Sequence, residues 1–332
     1  MRGKFYSSGL LVLSICVIMG LLGYMLRGVP GLNQVTLYLI LGIYAMSVDF
    51  LWGYSGLLSF GQAVFFGMGA FGYAWFRMDM FGLLPFIENA SLLGVLAAII
   101  VPVLLSLFIG YFLFYGKIAG ASFTVVTLAM SFLLSMLALG WRAVFGGYTG
   151  FPRVSSFELN IGSISLKASG GLSDYLVITL ICVCVAILLQ VIVQLPFGKI
   201  VDGLRDNEQR LELLGVSTPK VKLLVFIIAA AIAGLSGGLF VSHTNYVSYD
   251  LLGVVLSTEA VIWVAVGGRK TIAGGFLGAV VVRTMSYFLS GIAIAYWMIF
   301  IGALFIIIVL FGSDGIIGIV KNAFERRVQR AT

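Results

Sequence analysis

The sequence predicts an all-α polytopic membrane protein with about ten transmembrane helices and cytoplasmic N- and C-termini. Three observations support this fold class. Of the 332 residues, 61% are hydrophobic and only 10% are charged, whereas soluble domains carry roughly 25% charged residues. The apolar residues form near-continuous runs of about 20 residues, the length that crosses a bilayer as an α-helix. The 42 glycines favour close helix packing in lipid.

Breaks at charges, Gly and Pro divide the apolar sequence into ten spans, which together form a single membrane domain over residues 1–332. The predicted spans are Ser8–Leu26, Leu32–Trp52, Gly56–Phe76, Ser91–Tyr115, Ile118–Gly140, Asp174–Leu195, Leu223–Val241, Leu251–Val266, Ile272–Ser290 and Ala293–Phe311.

The distribution of Lys and Arg predicts the orientation, because positive loops stay in the cytoplasm. With the N-terminus inside, 14 of the 20 cations fall in inner loops and five in outer loops, with Arg283 inside a span. An even number of spans then returns the basic C-terminus to the cytoplasm. The net charge of +7 does not predict nucleic-acid binding, since the cations flank apolar segments and form no patch with interleaved aromatic residues.

The third span is rich in glycine and contains Ser59 and Gln62. Such a segment allows either tight helix crossings or a helix break that exposes backbone groups. Beside a break, Gln62 would be a candidate substrate ligand. The alternative is a packing role in which Gln62 bonds a neighbouring span.

The longest inner loop, residues 199–222, has the sequence KIVDGLRDNEQRLELLGVSTPKVK, with five cations and four anions. Leu204, Leu211 and Leu214 recur at roughly helical spacing, which favours a short amphipathic helix at the membrane surface that binds a partner protein. The alternative is a solvated loop that joins two spans, and charge composition alone favours it.

The longest outer loop, residues 141–173, is rich in Gly and Ser and includes GGYTGFP at 146–152. It is too polar to span a bilayer and too short to form an independent domain. This loop is either a lid or docking surface, or an ordinary connection between two spans.

The seventh span carries two ladders of small residues spaced by four, a pattern that predicts close helix packing. One ladder is Ala229, Ala233 and Gly237, and the other is Ala230, Gly234 and Gly238. The span ends near His243 on the outer side, where a single histidine is more typical of a surface residue than of a metal ligand. The three cysteines lack metal-ligand spacing, so we predict no metal site.

The eighth span places Glu259 within an apolar run, where a charge costs about 2.5–3.5 kcal/mol on insertion scales. Arg283 in the ninth span lies at a similar predicted depth, because both residues are separated by comparable distances from the turn at 268–270. We therefore predict a buried Glu259–Arg283 ion pair, whose role is either structural or ligand-binding.

The segment GGRKTIAGG at 267–275 resembles a phosphate-binding loop but departs from the Walker A pattern. Arg269 stands where glycine must precede Lys-Thr, and Val264 stands at the first glycine position. We also find no nucleophile elbow and no paired carboxylates. The sequence predicts no nucleotide site and no enzymatic activity in this chain.

Three segments, at 53–74, 205–240 and 257–281, resemble the inner-membrane permeases of branched-chain amino-acid ABC importers, including their urea and short-amide relatives. They read GYSGLLSFGQAVFFGMGAFGYA, RDNEQRLELLGVSTPKVKLLVFIIAAAIAGLSGGLF and STEAVIWVAVGGRKTIAGGFLGAVV. The resemblance implies a bacterial plasma membrane location and a heterodimer with a second related permease. It also implies two cytoplasmic ATPase subunits that hold Mg and ATP, a periplasmic solute-binding protein, and no cofactor on this chain.

The resemblance also implies roles for individual residues. The ATPase-coupling residues would be Arg205, Asp206, Asn207, Glu208 and Gly215, which favours the docking interpretation of residues 199–222 over the loop. Arg205 and Glu208 would meet the ATPase, while the three leucines would face the membrane domain or an ATPase cleft. The polar residues of an alternating-access pathway would be Ser59, Gln62, Thr258 and Glu259.

The transported solute stays open between branched-chain amino acids, or a similar small zwitterion, and urea or a short-chain amide. Two other classes also remain. A secondary transporter would need coupling-ion carboxylates, for which Glu259 is the strong candidate here. A glycine-rich channel would give residues 199–222 no obvious role.

Overall fold

The computed structural model describes residues 7–80, 90–161, 164–168 and 170–292, together with residues 302, 303 and 315. The tenth predicted span lies outside this part apart from two residues, and both chain ends lie outside it. The elements follow the order α1 (Ser7–Asp49), a π-helical turn (Phe50–Tyr54), α2 (Gln62–Arg77), α3 (Ala90–Tyr115), α4 (Gly120–Gly140), α5 (Arg142–Phe145), β1 (Phe151–Pro152), β2 (Phe157–Ile161), β3 (Ile164–Ala168), α6 (Gly171–Gln194), α7 (Pro196–Asp206), α8 (Glu208–Leu213), α9 (Thr218–Thr244), β4 (Tyr246–Val247), α10 (Val254–Gly267) and α11 (Ile272–Ile292).

Six segments of the described residues are long and apolar enough to cross a membrane, which makes the chain an all-α multi-pass membrane protein. They are Arg27–Tyr54, Ser91–Tyr115, Gly120–Gly140, Gly171–Gln194, Thr218–Thr244 and Ile272–Leu289. Two shorter apolar helices, Leu10–Met25 and Val254–Gly267, accompany them. The count of ten spans and the side on which the chain ends lie stay predictions.

The first two predicted spans form one kinked element. Helix α1 bends at Gly28, whose φ of 64° and ψ of −140° are not helical, and Pro30 follows two residues later. The kink has a local cause, since glycine tolerates positive φ and proline has no N–H to continue the helical ladder.

The third predicted span, Gly56–Phe76, is wrong in its first part, because helix α2 begins only at Gln62. The six residues before it are irregular. Helix α2 has 16 residues, too few for an untilted crossing of a bilayer core about 30 Å thick.

Helix α9 packs at the centre of the bundle against α1, α2 and α3, while α1 also packs against α6 and α11. The small residues of α9 are needed at these crossings. A Cβ atom on Gly237 would overlap the carbonyl oxygen of Phe66, and one on Gly69 of α2 would overlap the backbone of Gly234. The backbones of α2 and α9 therefore approach as closely as glycine allows.

The described residues of the outer loop at 141–173 pack against one end of the bundle. Strand β1 pairs antiparallel with β4, so that Phe151 lies opposite Val247. The indole N–H of Trp75 donates to the carbonyl oxygen of Val144 at 2.7 Å, and the rings of Phe71 and Phe145 lie 4.9 Å apart. These contacts join the loop to α2 and to the connection after α9.

Loops predicted on one side of the membrane contact one another. The inner end of the bundle comprises residues 50–55, 196–222 and 268–271, which are joined by the contacts described below. The outer end comprises the described residues of 141–173 together with residues 242–253, and the β1–β4 pair joins these two parts. The positive-inside count assigns the inner end to the cytoplasm.

Candidate functional site

The irregular segment before α2 is held by hydroxyl groups of α4. Thr124 donates to the carbonyl oxygen of Leu58 at 3.0 Å, and Ser131 donates to that of Phe60 at 2.9 Å. The backbone N–H of Phe60 donates to the Thr127 hydroxyl at 3.2 Å. Irregular backbone at membrane depth is tolerated where protein satisfies its polar groups, and these three side chains, spaced along one face of α4, do so here.

Gln62 and Ser59 both lie at this helix break and are buried. The Gln62 amide nitrogen lies 3.4 Å from the Ser47 hydroxyl, while its carbonyl oxygen has no partner. The Ser59 hydroxyl accepts from the N–H of Gly61 at 3.1 Å. The N–H of Ala63 donates to the Ser257 hydroxyl of α10 at 2.9 Å. The structure thus brings the break of α2 into direct contact with α10.

Glu259 of α10 and Arg283 of α11 form an ion pair, with Arg283 Nη2 lying 2.8 Å from Glu259 Oε2. Both side chains are partly buried, at 16% exposure for Glu259 and 26% for Arg283. The guanidinium carbon lies 5.0 Å from the centre of the Trp263 ring, which is a favourable cation–π distance. The Arg283 Nε atom is buried without a hydrogen-bond partner. Thr258 instead donates to its own helix, at the carbonyl oxygen of Val254.

Arg283 lines two cavities, one of which it shares with Glu259. The first has a volume of about 420 Å³ and is lined by Ser135, Tyr249, Asp250, Leu251, Gly253, Val255, Leu256, Glu259 and Arg283. The second, of about 350 Å³, is lined by Gln34, Leu37, Tyr38, Leu41, Phe240, Arg283, Ser286 and Tyr287. Each volume lies in the range of small-ligand sites. Gln62 and Ser59 line neither cavity.

The polar segment at 199–222 forms two short helices instead of the single amphipathic helix that its leucine spacing predicts. Asn207 interrupts the helix in an extended conformation, and its side-chain oxygen caps α8 by accepting from the N–H of Arg210 at 3.0 Å. An asparagine that caps its own next turn competes with helix continuation. Gly215, with φ of 81°, follows the end of α8, as a C-terminal glycine is expected to do.

The leucines of this segment divide between two surfaces. Leu204 is buried and Leu211 packs against the core of the bundle, whereas Leu214 is exposed. Leu213 is 90% exposed. The end of α8 therefore presents an unburied apolar pair at the inner end.

The residues that the sequence assigns to ATPase coupling also make contacts within the chain. Arg205 donates to the carbonyl oxygen of Gly53 at 2.5 Å, and Glu208 pairs with Lys222 at 2.5 Å. Asp206 is exposed. Asp202, one turn before Arg205, pairs with Lys270 at 2.8 Å. Helix α7 is thus fastened to the π-helical turn and to the α10–α11 turn.

Asp49 is a site residue that the sequence reasoning missed. It is fully buried and accepts from the backbone N–H of Lys270 at 2.9 Å. Beside it, the Arg269 guanidinium lies 4.9 Å from the centre of the Trp52 ring. Asp49 was detectable by the criterion that identified Glu259, namely a carboxylate inside an apolar run.

His243 is not the surface residue that the sequence analysis expects. Its side chain is 9% exposed, and its Nδ1 atom lies within hydrogen-bond distance of the carboxyl group of Asp174, which is 2% exposed. The other ring nitrogen faces the carbonyl oxygen of Asn33 at 3.0 Å. The cluster joins the outer ends of α1, α6 and α9.

Within the described part of the chain, no group of three or more His, Cys, Asp and Glu side chains is placed to hold a metal ion. The polar groups that the structure does assemble are the Glu259–Arg283 pair, the helix break at Gln62, and the inner cluster of Asp49, Asp202, Arg205 and Lys270. These polar groups can bind charged groups of a ligand, and they connect neighbouring segments of the chain to one another.

Comparison with known proteins gives one family. The profile described as "Branched-chain amino acid transport system / permease component" matches residues 31–309. The high-affinity branched-chain amino acid transport system permease protein LivM of Escherichia coli is 25% identical over 317 residues, covering 88% of this chain and 70% of that protein.

More distant similarity extends to other permeases. The probable branched-chain amino acid transport permease protein LivM of Methanocaldococcus jannaschii is 22% identical, over 73% of this chain and 77% of that protein. The ribose import permease protein RbsC of Haemophilus influenzae is also 22% identical, over 71% of this chain and 72% of that protein. No solved structure matches this chain.

Proposed function

The chain belongs to the family of branched-chain amino acid transport permease components, and from this premise we propose that it is the membrane-spanning subunit of an ATP-driven ABC importer. The solute is a branched-chain amino acid or a similar small zwitterion, and the location is the bacterial plasma membrane. The match of the family profile over residues 31–309 is the observation that carries this proposal.

The assembly follows from the same premise. A second related permease completes a heterodimer in the lipid bilayer, two ATPase subunits bind at the cytoplasmic face, and an extracytoplasmic solute-binding protein delivers the solute. Mg and ATP are held by the ATPase subunits, so this chain needs no cofactor, and it has no nucleic-acid partner. The mechanism is alternating access, in which the chain performs no covalent chemistry.

Residues 196–222 are the segment through which the ATPases act on this chain. The exposed leucines at the end of α8 offer an apolar contact, and the exposed polar residues Asp206 and Asn207 lie beside them. The bond from Arg205 to Gly53 and the pair of Asp202 with Lys270 would transmit a displacement of α7. The Arg205–Gly53 contact leads to the irregular segment before α2, and the Asp202–Lys270 contact leads to the turn between α10 and α11.

The polar residues of the pathway are Ser59, Gln62, Thr258 and Glu259. Ser59 and Gln62 are buried in this conformation, whereas Glu259 lines the larger cavity with Arg283. Alternating access requires that different groups become accessible in different states, so a movement of the segment before α2 is needed to expose Gln62.

The alternative solute is urea or a short-chain amide. The DFLWGY run at 49–54 and the VIWVAVGGR run at 261–269 favour it, because they are similar to the urea-type permeases. A secondary transporter or a channel is a weaker alternative, since neither gives the α7–α8 segment a partner.

The assembly is tested by cross-linking in native membranes. A cysteine placed at Leu213, which is 90% exposed at the inner end, should cross-link to an ATPase subunit. A matched cysteine at Tyr148, which is exposed at the outer end, should cross-link to none. Purification of the chain in mild detergent should recover the same ATPase by mass spectrometry. The absence of any ATPase from both experiments would contradict the proposal.

A further inference from the structure

The Glu259–Arg283 pair stands apart from the other ion pairs of the described residues because it joins two apolar helices at the wall of a cavity. The pairs of Asp202 with Lys270 and of Glu208 with Lys222 lie at the inner end, and the pair of Asp174 with His243 closes the outer ends of three helices. A charged group inside a membrane segment is costly and calls for a function. Here the structure supplies both a partner for each charge and a space beside them.

We propose that Glu259 and Arg283 form an exchangeable pair, which opens to bind the ammonium and carboxylate groups of an α-amino acid and closes again when the solute has passed. This inference rests on the proposed function and names the solute class of the same site. Glu259 takes the ammonium group and Arg283 takes the carboxylate.

A zwitterionic solute is favoured because it can pair with both charges of the opened Glu259–Arg283 pair. Separating Glu259 from Arg283 leaves two unpaired charges in an apolar environment, and this is expensive unless each finds a new partner. An α-amino acid supplies one positive and one negative group about 3 Å apart, as its bond lengths require. Every charge is therefore paired both before and after exchange.

A neutral solute cannot make this exchange. Urea and short amides offer only dipoles, so both protein charges would lose their ionic partner without gaining another. An exchange of ionic partners also keeps binding weak, because the energy gained with the solute is offset by the pair that was broken. Weak binding suits a transport pathway, where the solute must leave as readily as it enters.

The surroundings of the pair fit the rest of an amino acid. The same cavity of about 420 Å³ is lined by Leu251, Val255 and Leu256, which provide apolar contacts for a branched side chain. Arg283 also has a buried Nε atom without a partner, so its guanidinium retains a free donor for a carboxylate oxygen. Arg283 also lines the cavity of about 350 Å³, so its side chain borders both cavities.

The first test measures transport stoichiometry in the complete importer, reconstituted with its binding protein and ATPases. Glu259→Gln and Arg283→Met should each lower leucine uptake per ATP hydrolysed at least tenfold. The double swap Glu259→Arg with Arg283→Glu keeps an ion pair but reverses its polarity, so it should not restore the ratio. A wild-type ratio in the single variants or in the swap would overturn the exchange.

The second test leaves the pair intact. Val255→Cys places a thiol in the larger cavity at a position that is 60% exposed. Leucine at millimolar concentration should slow its reaction with a charged methanethiosulfonate reagent at least threefold, and urea should not. Leu172→Cys, in the exposed first turn of α6, is the control whose rate leucine leaves unchanged. Equal protection by urea and leucine, or no protection by leucine, would overturn the proposal.

These outcomes are distinguishable from failure of the proposed function. If the wild-type importer accumulates leucine with ATP while the variants and the thiol give the contrary results, only the exchange is wrong. If the wild-type importer moves no leucine, the proposed function itself fails.

Discussion

The carboxylate of Asp49 accepts a hydrogen bond from the backbone N–H of Lys270 at 2.9 Å, across 221 positions of the chain. Asp49 directly precedes the π-helical turn that leads to the break at Gln62. Lys270 lies in the turn between α10, which carries Glu259, and α11, which carries Arg283. This one bond therefore joins the two parts of the chain that hold the candidate pathway residues.

Removing this acceptor should destabilise the protein. Asp49→Ala leaves the Lys270 N–H without its partner, and an unsatisfied buried donor costs about 1–3 kcal/mol. Asp49→Asn keeps an acceptor oxygen of nearly the same shape and should cost less. Thermal unfolding of the purified protein measures both. Asp206→Asn, at an exposed position, is the control, and equal unfolding temperatures for Asp49→Ala and the wild type would contradict the structural role.

The contact of Arg205 with Gly53 should matter for coupling. Arg205→Ala removes the bond between α7 and the π-helical turn, so ATP hydrolysis by the assembled importer should continue while leucine uptake falls severalfold. Arg210→Ala changes an exposed cation of the same segment and should have a smaller effect on the ratio of uptake to hydrolysis. An identical ratio in both variants would mean that the Arg205 contact transmits nothing.

The Asp174–His243 pair should show strong non-additivity. His243→Ala leaves the buried Asp174 side chain without its hydrogen-bond partner, and an unsatisfied buried polar group costs about 1–3 kcal/mol. The double variant Asp174→Ala with His243→Ala removes both partners, so it should be more stable than His243→Ala alone. Thermal unfolding of the single and double variants completes the cycle. Additive losses would contradict a direct interaction between the two side chains.

A side chain added at the crossing of α2 and α9 should lower the stability of the protein. Gly237→Ala places a methyl group against the carbonyl oxygen of Phe66, and overpacking of this kind costs about 1–3 kcal/mol. Gly140→Ala is the matched control, because no heavy atom lies within 4 Å of its Cβ position. Denaturation of the two variants in parallel should show a loss for Gly237→Ala only, and equal stability would contradict the close crossing.

The sequence anticipates the parts of the fold that depend on hydrophobic length and on small residues. The apolar runs predict most of the long helices, and the spacing of Ala230, Gly234 and Gly238 predicts a close crossing at α9, because both features are local. The start of α2 was not predictable in this way. Residues 55–61 carry no charge and no proline that would mark a break, and the hydroxyls that hold them come from α4, more than 60 positions later.

The candidate site residues show the same difference between features that are predictable from the sequence and contacts that form only on folding. Opposite charges at similar depth make the Glu259–Arg283 pair predictable in principle from the sequence. The contacts of Asp49 and His243 depend instead on which backbone groups meet after folding. A carboxylate that binds a backbone N–H has no complementary charge in the sequence, and His243 sits among residues whose order in the chain gives no indication of its burial.

Solute accumulation in proteoliposomes tests most directly whether this chain forms the path of an ATP-driven importer. The complete transporter is reconstituted with Mg and ATP on the ATPase side and with labelled leucine and the binding protein on the other. We expect leucine to accumulate above its external concentration and the accumulation to stop when ATP is withheld. Equilibration without ATP, or accumulation driven only by a sodium or proton gradient, would contradict it.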